Sequence, residues 1–201
     1  MRKLFAAVLL GVTTIALGDD TSLWAVRSGW GSKPTPHCDH GIYGQRQVIA
    51  VLDTGLDWVS CYFAEVNGAP PPINTGSPQN GLNSSNVDTS RRKVIAYDFL
   101  YSCEQYPGAF GCDNPGNVND YDNALHGTLV AGVIAGDRGI PLIHDDEAEG
   151  IAPGAKLIVQ DGGYNGIDIC SQRPGFGCPV NLTPILDQAY KQGARIHSNS
   201  W

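Results

Sequence analysis

The segment Val48–Leu52 constrains the fold most, because its five consecutive apolar residues run directly into the polar sequence Asp53-Thr54-Gly55. A short apolar run that stops at turn-forming residues is typical of a strand buried on both faces, as in a parallel sheet covered by helices. In such sheets, functional side chains collect just beyond the carboxyl ends of the strands. Asp53 is therefore a candidate site residue, and an aspartate that only caps a turn is the alternative.

A lone histidine opens the second informative segment, His126–Gly136. Val130, Val133 and Ile134 recur at helical spacing between small residues, which predicts a buried helix whose first turn carries His126. The N–H groups and partial positive charge of that turn disfavour a proton on the imidazole, which suits a general base. By itself the pattern also fits a histidine that packs in the core or caps the helix.

Taken together, Asp53-Thr54-Gly55 and the sequence from His126 to Gly132 (His-Gly-Thr-Leu-Val-Ala-Gly) resemble the subtilisin-like serine peptidases, or subtilases. The segments Gly150–Ala155 and Asn199–Trp201 support the resemblance, and the blocks follow the chain order of that family. The resemblance implies that Asp53 orients His126, which takes a proton from a nucleophilic serine during peptide-bond hydrolysis. It also implies a peptide or protein substrate that pairs with the strand carrying Ser200 and Trp201.

The serine of this resemblance has no counterpart in the chain. Neither the family's Gly-Thr-Ser-Met-Ala block nor its Ala-Gly-Asn segment, which supplies the oxyanion donor, occurs in the 201 residues. We therefore expect the front part of a catalytic domain, truncated before the catalytic serine. We also expect these residues alone to be inactive, because loss of the nucleophile costs subtilisin roughly 10⁶-fold in kcat.

Alternating strands and helices along the chain predict an α/β fold with a doubly wound parallel sheet. Besides the strand before Asp53 and the helix after His126, the pattern predicts strands at Lys93–Phe99, Lys156–Gln160 and Arg195–Trp201, and a helix at Pro184–Gly193. The intervening segment Cys61–Asn86 is rich in Pro, Asn, Ser and Gly, which favours a long surface loop.

The N-terminus predicts export. Residues 1–18 have a basic start, an apolar run and small residues placed like a cleavage site, which is typical of a secretory signal peptide. We expect an N-terminal arm at 19–46 and the N-terminal part of a subtilisin-like peptidase domain at 47–201, in a secreted protein without a membrane anchor. The formal net charge of −7 argues against a nucleic-acid partner.

The cysteine count is even, which in an exported chain predicts a disulfide framework. We expect two disulfides that each close a Gly- and Pro-rich loop, and a third between the two cysteines that flank the first strand. Six cysteines allow 15 pairings. A zinc site is the alternative, but the chain lacks Cys-x-x-Cys spacing. The pairs in that order are Cys103 with Cys112, Cys170 with Cys178, and Cys38 with Cys61.

Oxygen-bearing side chains before the histidine raise the question of a metal. The resemblance is consistent with a structural calcium ion, but the spacing is not that of an EF-hand, so we assign no metal and no cofactor. An acidic run at 145–149 is a weaker candidate. The residues of the first cluster are Asp113, Asn114, Asn117, Asn119, Asp120 and Asp122.

Two other function classes stay open. Asp53-Thr54-Gly55 also matches the turn of aspartic peptidases, but that chemistry needs a second carboxylate and leaves His126 unexplained. The other alternative is a secreted binding module that keeps the subtilase scaffold without activity.

Overall fold

A buried strand forms where the apolar run predicts it. The structure, a computed structural model, describes residues 40–75, 86–100, 122, 125–139, 149–167, 174–176 and 182–200. Strand β1 spans Val48–Asp53, and every residue from Ile49 onward is buried. Burial of both faces explains why the strand is continuously apolar up to its final carboxylate.

Parallel strands build the main sheet. The other strands in it are β2 (Ile73–Thr75), β3 (Val94–Phe99), β4 (Lys156–Asp161) and β7 (Ile196–Asn199). The order is β2-β3-β4-β1-β7, and all neighbouring pairs are parallel. The register aligns Asp53 with Asp161 on β4, and Leu52 with Asn199 on β7. The carboxyl ends of these three strands therefore meet at one edge of the sheet.

Two helices cover opposite faces of this sheet. Helix α1 (His126–Ala135) places Ala131 and Ala135 in the cluster that contains Val51 and Val159. Helix α2 (Leu182–Lys191) contributes Ala189 to a separate cluster, which contains Ala50 and Ile158. The predicted doubly wound parallel α/β fold is thereby confirmed. Neither described helix has the length and apolar character needed to cross a membrane.

The contact face of α1 differs in part from the expected one. Gly127, Ala131 and Ala135 are the buried residues of this helix, whereas Leu129 and Val133 are exposed. The sequence pattern predicted Val130, Val133 and Ile134 on the buried face. Val130 and Ile134 are partly buried and pack against the core cluster, so the prediction is wrong only for Val133. The physical reason is close packing: the fully buried positions of the helix are glycine or alanine, and the larger side chains of Val130 and Ile134 pack at the margins of the contact.

Several elements were not predicted. Strand β2 lies inside the segment predicted to be a surface loop, because its three residues are held by pairing with β3. A separate antiparallel pair joins β5 (Gly163–Ile167) and β6 (Pro174–Phe176). Strand β2 depends on a partner distant in sequence, and the pairing of β5 with β6 follows no apolar pattern that would have revealed it. The predicted signal peptide at 1–18 lies outside the described residues.

Candidate active site

The structure brings Asp53 and His126 into hydrogen-bond contact. Nδ1 of His126 lies 2.7 Å from Oδ1 of Asp53. Because a carboxylate can only accept, Nδ1 carries the hydrogen of this bond, and in the neutral imidazole Nε2 then keeps its lone pair. The Asp53 side chain is 1% exposed and that of His126 is 49% exposed. A buried carboxylate thus holds an accessible imidazole in the tautomer that a general base requires.

A second oxygen of the same carboxylate is also engaged. Oγ of Ser200 donates to Oδ2 of Asp53 over 3.1 Å, and the backbone N–H of Thr54 donates to Oδ1 over 2.8 Å. Asp53 therefore has three hydrogen-bond partners, which together fix the orientation of its carboxylate. The sequence analysis assigned Ser200 to substrate binding and missed this contact. A serine just beyond the carboxyl end of a neighbouring strand was the available signal.

Local backbone geometry makes the pairing of Asp53 and His126 feasible. After β1 the chain turns through Gly55, whose φ of 116° favours glycine. The first turn of α1 packs directly on this turn, and a Cβ atom at Gly127 would lie 2.2 Å from the Gly55 carbonyl oxygen. The glycine beside His126 is thus a steric requirement for bringing the two segments together.

A buried tyrosine supports the same turn from β3. The hydroxyl of Tyr97 donates to Oδ2 of Asp161 over 2.7 Å and accepts from the backbone N–H of Leu56 over 3.1 Å. Burial, and then the nearby Asp161 carboxylate, raises the pKa of Tyr97 well above its usual value, so the hydroxyl keeps its proton. Asp161 also accepts from the N–H of Gly163 over 2.7 Å. Sequence reasoning missed this tyrosine because only the strand register places it under the turn.

The oxygen-rich cluster considered as a candidate calcium site is represented among the described residues only by Asp122. Its Oδ1 accepts from Oγ1 of Thr54, and its Oδ2 accepts from N and Oγ1 of Thr128. The other five residues of the cluster lie outside the described part of the chain. Within that part, no group of three or more His, Cys, Asp or Glu side chains is arranged to hold a metal ion.

Most remaining site predictions fall outside the described residues. Of the six cysteines, only Cys61 is described; it is exposed and forms no disulfide with another described residue, and its predicted partner Cys38 lies outside the described part. The disulfide framework stays a prediction. Trp201, expected to contact substrate with Ser200, also lies outside the described part.

Comparisons with known proteins show which family the sequence is related to. The sequence model of the Subtilase family matches residues 44–201. The serine protease/ABC transporter B family proteins tagA and tagD of Dictyostelium discoideum are 28% identical over 184 residues and 26% identical over 168 residues. Subtilisin-like protease SBT2.4 of Arabidopsis thaliana is 24% identical over 163 residues.

These matches cover most of this chain but little of each relative. They span 89%, 81% and 76% of the chain, against 8%, 7% and 18% of tagA, tagD and SBT2.4. The family match extends over most of the sequence, including both residues of the Asp53–His126 pair. This protein therefore belongs to the subtilase family.

Proposed function

We propose that this chain is the front part of the catalytic domain of a secreted serine endopeptidase. Asp53 and His126 are two members of its Asp-His-Ser triad. The nucleophilic serine and the oxyanion donor come from sequence beyond residue 201, since the blocks that carry them in the family do not occur here. By this proposal the 201 residues alone do not hydrolyse peptides.

The hydrogen bond between Nδ1 of His126 and Oδ1 of Asp53 carries the proposal. In peptide hydrolysis the histidine removes the proton from the attacking serine, and the buried carboxylate stabilises the imidazolium that forms. The arrangement meets the geometric demands on both groups: a bonded Nδ1, an accessible ring and a carboxylate shielded from water. A decayed, non-enzymatic scaffold has no need to keep this pair, which favours a peptidase over a binding module.

We assign substrate binding to the backbone around Ser200 and Trp201. β7 ends at Asn199 and is the last strand in the order of the described sheet. An extended peptide can add to such an edge through backbone hydrogen bonds. The Ser200 side chain meanwhile contacts Asp53, so the peptide and the dyad would share one short segment.

An aspartic peptidase is disfavoured by the contacts of the two neighbouring carboxylates. Asp161 lies beside Asp53 in register, as a catalytic pair would require. The oxygens of Asp53 accept from His126, Thr54 and Ser200. Those of Asp161 accept from Tyr97 and Gly163 instead of sharing a proton with Asp53.

The test uses the full-length protein that carries this chain. It is treated with a serine-directed fluorophosphonate probe and assayed on an unstructured protein substrate, as wild type and as His126→Ala. We expect labelling and hydrolysis in the wild type and a loss of roughly 10⁶-fold in kcat for the variant, as in subtilisin. His40→Ala, which changes another exposed histidine, is the matched control.

Three results would count against the proposal. Hydrolysis blocked by pepstatin and untouched by the probe indicates an aspartic peptidase. A full-length protein that binds peptides without labelling or hydrolysis indicates a binding module. Probe labelling of the 201 residues alone would falsify the assignment of the serine to sequence beyond them.

A further inference from the structure

Asp122 is a buried carboxylate that the catalytic proposal does not use. It precedes helix α1 by four residues and is 3% exposed. Its side-chain hydrogen bonds to Thr54 and Thr128 do not involve Asp53 or His126 themselves. Its side chain instead accepts from Thr54, which follows Asp53, and from Thr128, two residues after His126.

On the side of β1, Asp122 holds the residue that follows Asp53. Oγ1 of Thr54 donates to Oδ1 of Asp122 over 2.7 Å. The same hydroxyl accepts from the backbone N–H of Gly127 over 2.9 Å, while the Thr54 N–H donates to Asp53. Thr54 thus links Asp122, Asp53 and the residue after His126.

On the side of α1, Asp122 replaces a missing helix cap. Leu125 occupies the N-cap position and offers no side-chain hydrogen bond. The N–H of the third helical residue, Thr128, donates to Oδ2 of Asp122 over 2.7 Å, and its hydroxyl donates over 2.5 Å. An N-cap side chain normally accepts from this position, and a negative charge near a helix N-terminus is stabilising.

The hydroxyl of Thr128 extends the connection back to the turn. It accepts from the backbone N–H of Asp57 over 2.8 Å. Two sets of hydrogen bonds therefore connect the turn after β1 with the first turn of α1, one through Thr54 and one through Thr128. Both threonines also hydrogen-bond to Asp122. One carboxylate fixes the two backbone segments that present Asp53 and His126.

We propose that Asp122 is a positioning residue, which sets the distance and angle of the Asp53–His126 hydrogen bond without touching the reacting groups. That Asp122 sets the geometry of this hydrogen bond is a statement about this chain alone. That the geometry matters for catalysis rests on the proposed function. Misplacement of a catalytic group by 1 Å can cost about 10²-fold in rate. We therefore expect loss of Asp122 to lower kcat and leave KM nearly unchanged.

The direct test is the Nδ1 proton of His126, observed by NMR in the full 201-residue chain and assigned by its loss in His126→Gln. A proton held by a carboxylate exchanges slowly with water. In Asp122→Ala we expect its exchange to accelerate by about tenfold or more, because the two segments open locally. Asp187→Ala, which removes an exposed carboxylate from α2, is the matched charge control and should not change it.

A neutral pair of variants tests the same connection if Asp122→Ala does not fold. Thr54→Val keeps the shape but removes the hydroxyl, and Thr54→Ser restores it. We expect faster exchange in the first variant and wild-type exchange in the second. Unchanged exchange in Asp122→Ala, or in Thr54→Val, overturns the proposal.

Kinetics of the full-length protein separate the two proposals. If His126→Ala abolishes hydrolysis while Asp122→Ala retains wild-type kcat, the positioning role is wrong and the peptidase assignment stands. If His126→Ala has no effect on hydrolysis, the peptidase assignment fails, and proton exchange still decides whether Asp122 positions the pair.

Discussion

Gly127 lies against Gly55 so closely that a Cβ atom at residue 127 would be 2.2 Å from the carbonyl oxygen of Gly55 and 3.1 Å from the Cβ of Asp53. Both obstacles belong to the turn that carries Asp53. The first turn of α1 can therefore reach this turn only with hydrogen as the side chain at position 127. The distance between the candidate base and its carboxylate depends on this contact.

We expect Gly127→Ala to separate the two segments and to destabilise the chain by about 1–3 kcal/mol, the usual cost of overpacking. Urea unfolding measures the stability, and proton exchange at Nδ1 of His126 measures the separation. Gly132→Ala is the matched control in the same helix, because nothing lies within 4 Å of its added Cβ. Equal stability and exchange in the two variants would contradict the steric argument.

Leu125 has a φ of 58°, a left-handed conformation that side chains disfavour. It is 60% exposed, so its removal loses little buried surface. We expect Leu125→Gly to raise the free energy of unfolding by about 1 kcal/mol relative to Leu125→Ala, since alanine keeps the strain and glycine relieves it. If the two variants have the same urea midpoint, the residue is not strained.

Asp98 gives the chain a pH dependence of stability. Burial raises its pKa from 3.8 to about 6, against the opposing effect of hydrogen bonds from side chains such as Gln192 and Asn74. Between these pH values the folded chain holds a proton that the unfolded chain has released. The free energy of unfolding therefore falls as the pH rises from about 4 to 6, by about 3 kcal/mol.

The variant Asp98→Asn isolates this effect. His197 has a pKa lowered by burial, so its contribution rises with pH and partly offsets that of Asp98. The difference in stability between wild type and Asp98→Asn cancels the histidine contribution. We expect the variant to become relatively more stable as the pH rises to 6, and a constant difference between pH 4 and 7 would show that Asp98 does not titrate there.

The hydroxyl of Ser200 donates a hydrogen bond to Oδ2 of Asp53. We expect Ser200→Ala to lower kcat/KM of the full-length protein by about tenfold, because one hydrogen bond to a charged group is lost at a partly exposed position. Ser90→Ala removes a hydroxyl from an exposed carboxylate far from the site and is the control. Equal activity of Ser200→Ala and wild type would leave Ser200 with a backbone role only.

The hydrophobic pattern of the sequence predicted the strands and helices whose residues are set by their own local sequence. The apolar run before Asp53 became β1, and the small-residue segment after His126 became α1. Two motifs far apart in the chain then met at 2.7 Å, as the family resemblance implied. The parallel sheet follows from the same alternation of strands and helices.

The supporting contacts could not be predicted because they depend on register and close packing. Tyr97 reaches Leu56 only through the alignment of β3 with β4. Asp122 belonged to a candidate calcium cluster in the sequence, whereas its carboxylate contacts Thr54 and Thr128 in the fold. Burial of Gly127 instead of Val133 likewise reflects the short distance between helix and sheet.

A double-mutant cycle on kcat/KM of the full-length protein tests the central claim that Asp53 and His126 act as one unit. We expect Asp53→Asn and His126→Ala each to lower kcat/KM by about 10⁴-fold or more. The kcat/KM of the double variant should lie within a few-fold of that of the less active single variant. Losses that multiply in the double variant, or an Asp53→Asn protein as active as wild type, would contradict a shared role in peptide hydrolysis.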